Sequence, residues 1–313
     1  MISEKIGKIV KGVGGLYESR IIGEVGTAER IVCRAKGSLH RDDKKLLVGD
    51  VVRISEDTET AGGIAISECF ERKNELIRPP LSNLDFLFIV IASKKPMPVF
   101  ETVDKLIAIA ENKGIEPIIV VTKSDLDDKN AEEFERIYRG AGFSCFVTSS
   151  EEKSGIDELK AYIKANVKDG KTAAFAGASG VGKSTLMNAL FDGLMLKTAD
   201  ISKKIERGRH TTRHVELFEI EDSADTGFLA DTPGFSMLDF SRFDFFPIED
   251  LEDAFRDIAA YKGKCRYADC AHFGEGADEC AVMRAVKEGK IAETRHNSYK
   301  DIYKTLKNKK TYE

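Results

Sequence analysis

Residues 177–184, Gly-Ala-Ser-Gly-Val-Gly-Lys-Ser, constrain this 313-residue chain more than any other stretch. They match the pattern GxxxxGK[ST] at every required position, after the strand-like run Thr172 to Ala176 and at the start of a helix-like run, Lys183 to Phe191. The residue types have a physical reason. Gly177, Gly180 and Gly182 let the backbone N–H groups of the loop, through Ala178, Ser179 and Val181, turn inward around phosphates at the positive end of the following helix. Lys183 then reaches the β- and γ-phosphates, the Ser184 hydroxyl helps hold Mg²⁺, and Thr185 completes the nucleotide-contacting run. The loop by itself does not separate ATP from GTP.

Upstream, apolar and amphipathic runs alternate. Asp85 to Ala92 (DFLFIVIA) is continuously apolar, the mark of a strand covered on both faces. A helical stretch from Val99 to Asn112, a strand Pro117 to Val121, a helix Ala131 to Arg139, a strand Phe143 to Thr148 and an amphipathic run Gly155 to Asn166 follow. This alternation predicts an α/β P-loop domain, an open parallel sheet with helices on both faces, over about 80–239. Residues 1–75 read differently. Gly7 to Val10, Leu16 to Val25, Glu29 to Ala35 and Asp50 to Ser55 are short β-rich runs, and Gly12, Gly14, Gly15, Gly37, Gly62 and Gly63 mark turns between such runs. About five short strands in this length predict a small closed barrel of the oligonucleotide-binding (OB) type. Pro79 and Pro80 suggest a boundary. Beyond Asp239 the β signal fades, and 240–313 reads as a mostly helical module.

The strand ending at Val121 runs into Thr122-Lys123-Ser124-Asp125, which resembles the [NT]KxD motif of guanine-specific sites. A carboxylate such as Asp125 can accept both guanine N1–H and N2–H₂, a donor pair that adenine lacks. The Lys123 stem can cover the base. On the next strand Thr148-Ser149 is a candidate second base-contacting loop, with its register open between the two residues. After the phosphate loop come Gly208-Arg209-His210-Thr211-Thr212, in a polar stretch before a strand from His214 to Ile220, and Asp231-Thr232-Pro233-Gly234 at the end of a strand from Phe228 to Ala230. Asp231 suits the Mg²⁺ shell and the Gly234 N–H suits a γ-phosphate; Thr211 or Thr212 suits the remaining Mg²⁺ position. The base motif thus precedes the phosphate loop, the reverse of the common order. The same sheet can form if its original ends are joined and a new break opens at a surface loop.

Three of the six cysteines, Cys265, Cys270 and Cys280, crowd together with His272. Three thiolates and one imidazole suffice for a closed tetrahedral Zn²⁺ site, which is structural because it leaves no place for a reactive water. Cys33, Cys69 and Cys145 are isolated and read as small buried hydrophobes.

In order, the barrel, TKSD, GASGVGKS, GRHTT, DTPGF and the Cys/His cluster resemble the circularly permuted, small-ribosomal-subunit-dependent GTPases of the RsgA/YjeQ type, over nearly the full length. The resemblance implies a GTP-hydrolysing factor in late maturation of the small (30S) ribosomal subunit, binding rRNA and stimulated by the subunit, with Mg²⁺ beside GTP and one structural Zn²⁺. It also implies a catalytic role for His210. Phe235 stands where many GTPases carry the glutamine that orients the attacking water, and in this family the histidine of GRHTT is thought to replace it. The gap between His272 and Cys280 is about two residues longer than the family's usual spacing.

A net charge of −5 gives no sign of wholesale nucleic-acid binding, so local patches must supply the attraction if RNA is a partner. The tail Lys300 to Lys310 is one such basic patch, and equally a solvated helix end. The first residues lack the apolar run of a signal peptide or a membrane span, which predicts a cytoplasmic protein with no membrane partner, taken as a monomer. Two rival readings are an ATPase or kinase-like P-loop enzyme that happens to carry TKSD, and a non-catalytic RNA-binding scaffold. The intact Lys183, Ser184, Asp231 and Gly234 weigh against the second.

Overall fold

The computed structural model describes residues 4–22, 30–37, 39, 45–57, 63–77, 79–191, 215–220, 226–231 and 246–308. The chain divides into two compact units: Met1–Leu87 with Asp157–Phe175 and Ser184–Phe235, and Phe88–Ile156 with Ala176–Lys183 and Ser236–Glu313.

The first unit holds the barrel: β1 (Lys5–Val13), β2 (Leu16–Ile21), β3 (Arg30–Ala35), β4 (Val51–Glu56) and β5 (Ile64–Cys69). The ring runs β1-β2-β3-β5-β4 and closes by antiparallel pairing of β4 with β1; only the β3–β5 contact in it is parallel. Alternation explains its core. In β3 and β4 every second side chain, Ile31 and Cys33, then Val52 and Ile54, is buried. Gly14 and Gly15, both at positive φ, form the two-residue turn between β1 and β2, a geometry that favours glycine. β5 fell outside the runs singled out in the sequence. In its second half only Glu68, opposite Arg53, is exposed, while Ser67 and Cys69 are half-buried.

Pro79 and Pro80 sit in the turn of a short hairpin between β6 (Glu75–Leu76) and β7 (Leu81–Ser82), where the sequence suggested a break between domains. The buried Asp50 carboxylate ties this hairpin to the barrel. It accepts Arg72 Nε at 2.7 Å and Nη2 at 2.8 Å, and the Ser82 hydroxyl at 2.7 Å. The same unit continues through β11 (Thr172–Ala176), β12 (Glu216–Glu219) and β13 (Phe228–Asp231). β11 and β13 are parallel, β13 and β12 antiparallel, and β12 joins the barrel by pairing Glu216 with Lys11 of β1.

In the second unit, β8 (Phe86–Ala92), β9 (Glu116–Thr122) and β10 (Ser144–Val147) lie in the order β10-β9-β8, with β9 and β10 parallel. All of β8 is buried, as its unbroken apolar run requires. Helix α1 (Phe100–Asn112) follows β8. Helix α2 (Asp128–Gly140) follows β9 and is capped by Asp127, whose carboxylate accepts the Asn130 N–H at 3.2 Å. Helices α3 (Ile156–Asn166) and α4 (Lys183–Phe191) flank β11 in the chain. The remainder carries three helices, α5 (Arg256–Ala259), α6 (Ala281–Lys287) and α7 (Glu293–Lys307), while residues 260–280, which hold the Cys/His cluster, are turns and bends and not helix. Arg295 of α7 is fully buried between two carboxylates. Its Nη1 meets Asp104 Oδ1 of α1 at 2.5 Å, and its Nη2 and Nε meet Asp257 at 3.0 and 3.2 Å. The Phe255 ring lies 4.5 Å from the guanidinium.

Candidate nucleotide site and metal centre

The phosphate loop leaves β11 through three glycines with positive φ, 153° at Gly177, 79° at Gly180 and 96° at Gly182. A side chain at Gly177 would run into the Val90 carbonyl, so strand packing as well as loop shape requires glycine there. Ala178, Ser179 and Gly180 are exposed, as are Ser184 and Thr185 in the first turn of α4. Val181 is buried. Lys183 folds back over the loop, its ammonium donating to the Gly177 carbonyl at 2.5 Å and to that of Ala178 at 3.1 Å. Partial burial lowers its pKa.

The TKSD segment closes on this loop. The Thr122 hydroxyl, at the end of β9, lies 2.5 Å from the Val181 carbonyl and 3.0 Å from that of Ile91. A hydroxyl has one proton, and the shorter contact is the one it satisfies. Lys123 adopts left-handed backbone geometry, φ 58°, and its ammonium donates to the Gly180 and Lys95 carbonyls, both at 2.6 Å. Ser124 is buried and Asp125 is exposed on the short 3-10 turn that follows. One Asp125 oxygen accepts the Ser149 hydroxyl at 2.5 Å; Ser149 in turn accepts the Glu152 N–H at 3.1 Å. Of the two residues left open by the sequence, Ser149 therefore meets the carboxylate. Thr148 instead turns its hydroxyl to the Val121 carbonyl at 3.2 Å.

The Cys/His cluster also assembles. The ligand atoms of Cys265, Cys270, His272 and Cys280 all lie within 4.8 Å of one another. Cys265 Sγ is 3.5 Å from His272 Nδ1, Cys280 Sγ is 3.7 Å from it, and the two sulfurs are 3.7 Å apart. A tetrahedral zinc with bonds of about 2.3 Å to sulfur and about 2.0 Å to nitrogen has edges of about 3.5–3.8 Å, so Cys265, His272 and Cys280 fit that ion, and Cys270 lies within 4.8 Å of each. Their surroundings fit as well. The Ala281 and Met283 N–H groups point at Cys265 and Cys280 sulfurs, each at 3.4 Å, which favours thiolates. The buried His272 Nε2, on the far side of the ring from Nδ1, lies 3.3 Å from Glu252 Oε1 without forming a hydrogen bond to it.

With this geometry in hand, the relatives are informative. The family profile described as RsgA GTPase matches residues 69–241, and the RsgA N-terminal domain profile matches residues 6–64. The small ribosomal subunit biogenesis GTPase RsgA of Agathobacter rectalis is 38% identical over 313 aligned residues, covering 98% of this chain and 99% of that protein. Among solved structures, YjeQ from Thermotoga maritima superposes with a TM-score of 0.78 at 31% identity, over 98% of this chain and 100% of that one. YloQ, described as a circularly permuted GTPase, gives 0.77 at 32% identity, covering 99% and 98% of the two chains. The chain belongs to the RsgA GTPase family. It is accordingly a GTP hydrolase with permuted order, and the family implies Mg²⁺ beside the nucleotide.

His210, Thr211, Thr212 and Gly234 lie outside the described residues, and Asp231 is described only as the last residue of β13. The longer His272–Cys280 spacing does not spread the cluster. Sequence reasoning missed the Thr122 tie to Val181 and the Arg295 triad. A threonine in place of the usual asparagine of [NT]KxD was the available signal for the first, since either side chain can donate to a carbonyl.

Proposed function

We propose that this chain is a GTP-hydrolysing factor acting in late maturation of the small (30S) ribosomal subunit, binding its rRNA and stimulated by the subunit. Its main support is the pair of hydrogen bonds from Thr122 and Lys123 to the phosphate loop, formed despite the reversed order of the two motifs. The names borne by relatives of equal length supply the ribosomal context.

In this reading Asp125 receives guanine N1–H and N2–H₂ on its carboxylate, held in place by Ser149. Backbone N–H groups of residues 177–185 cradle the phosphates, and Lys183 exchanges its loop carbonyls for phosphate oxygens. Ser184, Asp231 and one of Thr211 or Thr212 would hold Mg²⁺, which neutralises charge on the leaving phosphate when bound. The Gly234 N–H meets the γ-phosphate, and His210 orients the attacking water. Cys265, Cys270, His272 and Cys280 hold one structural zinc. We assign three domains: the barrel (1–75), the permuted GTPase domain (80–239) and the zinc module (240–313). The protein works as a cytoplasmic monomer. Among the described residues, no helix is long and apolar enough to cross a membrane.

GTP turnover with and without purified small subunits tests the function. Stimulation well above the basal rate supports it; identical rates refute it. His210→Ala tests the water-orienting role. It should lower the stimulated rate while leaving nucleotide affinity intact, and unchanged stimulated turnover would remove His210 from the mechanism.

A further inference from the structure

β12 is the strand onto which the GRHTT stretch opens, beginning four residues beyond Thr212 in the chain. It is fastened to the barrel by charges, of which Arg20 and Glu219 are buried. Glu219, its last residue, receives Arg20 Nε of β2 on Oε2 at 2.9 Å. Its other oxygen receives Nε and Nη2 of Arg30 of β3, at 3.1 and 2.9 Å. Arg20 and Glu219 side chains are only 3% and 7% exposed. Arg30 Nη1 is held in turn by Glu18 at 2.8 Å, and Arg20 Nη1 by the Ile21 carbonyl at 3.0 Å, so both guanidiniums are oriented from behind. At the other end of β12, Lys11 and Glu216 pair at 3.2 Å alongside their backbone register.

Apolar side chains of similar volume would hold two packed strands at least as strongly as a buried ion cluster, because desolvation offsets most of the Coulomb gain. What the ions add is geometry. Planar guanidiniums on both oxygens of one carboxylate fix distance and angle together, where apolar contacts can slide. β12 also pairs with β13 over four residues, and β13 ends at Asp231. One strand is thus rigidly joined to the barrel on one edge and to the DTPG-bearing strand on the other.

We propose that Arg20, Arg30 and Glu219 form a positioning clamp through which occupancy of the barrel is transmitted to β12, the strand that follows the GRHTT stretch in the chain. The residues touch neither nucleotide nor reacting atoms; they act through β12. The proposal rests on the reading that the small subunit stimulates hydrolysis, and it deepens that reading by naming the route.

The test uses the full-length protein and two variants. Glu219→Gln keeps the shape but removes the charge. Arg30→Gln is milder, removing two of the three donors from a half-exposed position, and serves if the first variant does not fold. Expected are a basal rate and a subunit affinity within about threefold of the parent, with stimulation reduced at least about tenfold. Undiminished stimulation in a folded variant overturns the clamp. Hydrogen exchange of the β2 and β12 amides, compared between GDP and a non-hydrolysable GTP analogue, is the second readout and needs no ribosome. A nucleotide-dependent difference in β2 should be present in the parent and lost in the variant. Its absence in the parent, or its persistence in the variant, overturns the clamp. If the parent shows no stimulation by subunits, the functional reading fails on its own, and the exchange data still decide the clamp.

Discussion

Thr122→Val asks whether the base motif and the phosphate loop depend on each other. Valine matches threonine in shape, so the change removes one hydroxyl and leaves packing in place. Thr122 is 4% exposed and Val181 is 3% exposed, so the carbonyl that loses its 2.5 Å donor has no ready access to water. A buried carbonyl left without a donor costs about 1–3 kcal/mol, or roughly 5- to 150-fold in an equilibrium constant. Lys123 still ties the same loop through Gly180, which limits how far it can relax. The expected loss is therefore toward the lower end, about tenfold in affinity for GDP and for a GTP analogue alike. Titration of a fluorescent GDP at fixed Mg²⁺ measures it. Thr122→Ser retains the donor and should stay within about threefold of the parent. Equal GDP affinity for the valine variant and the parent would refute the coupling.

Three further outcomes follow from other parts of the molecule. Metal analysis of protein purified without chelator should find one zinc per chain, and Cys280→Ser should reduce it to trace amounts; full occupancy in that variant would exclude the four-ligand assignment. Arg295→Met leaves Asp104 and Asp257 buried with no counter-ion and should lower unfolding free energy by about 3–5 kcal/mol in urea titration; a loss below about 1 kcal/mol would show the triad to be dispensable. Lys8 supplies a pH dependence. Its ammonium is buried against the Gly170 carbonyl and the Thr172 hydroxyl, and burial lowers its pKa to about 8. Between that value and the ordinary lysine range the unfolded chain binds more protons than the folded one, so stability rises with pH there. Measured against Lys8→Met, the parent should gain up to about 1.4 kcal/mol per pH unit above pH 8 and lose it again as pH falls to 8. A flat difference would mean that the buried ammonium keeps an ordinary pKa.

The parts of the fold that were legible in the sequence are those whose signal is local. The unbroken apolar runs of β8 and β9 announce strands covered on both faces, and GASGVGKS carries its own conformation in its glycines. The Cys265–Cys280 cluster needed only short loops to assemble. What stayed hidden depends on partners far away in the chain. Arg295 and Asp104 are 191 residues apart, and each alone reads as an ordinary surface charge on a helix. Glu219 and Arg20 are separated by 199. Pro79 and Pro80 give the same breaking signal whether they end a domain or turn a hairpin, and only the pairing of Leu76 with Leu81 distinguishes the two. At the site, Asp125 and Lys183 were readable as chemistry, whereas the Thr122–Val181 bond exists only once the end of β9 meets the phosphate loop, 59 residues further along the chain.

Asp125→Asn is the most direct measurement of the shared guanine site. An amide there presents a donor to guanine N1–H and N2–H₂, but suits the oxygen that xanthine carries at that position. Competition binding of GDP and XDP should show GDP affinity falling by about 100-fold or more while XDP becomes the better ligand, the loss expected when charge-assisted paired hydrogen bonds are replaced by a donor clash. GDP binding that survives the substitution unchanged would mean that TKSD does not read the base whose phosphates the loop holds.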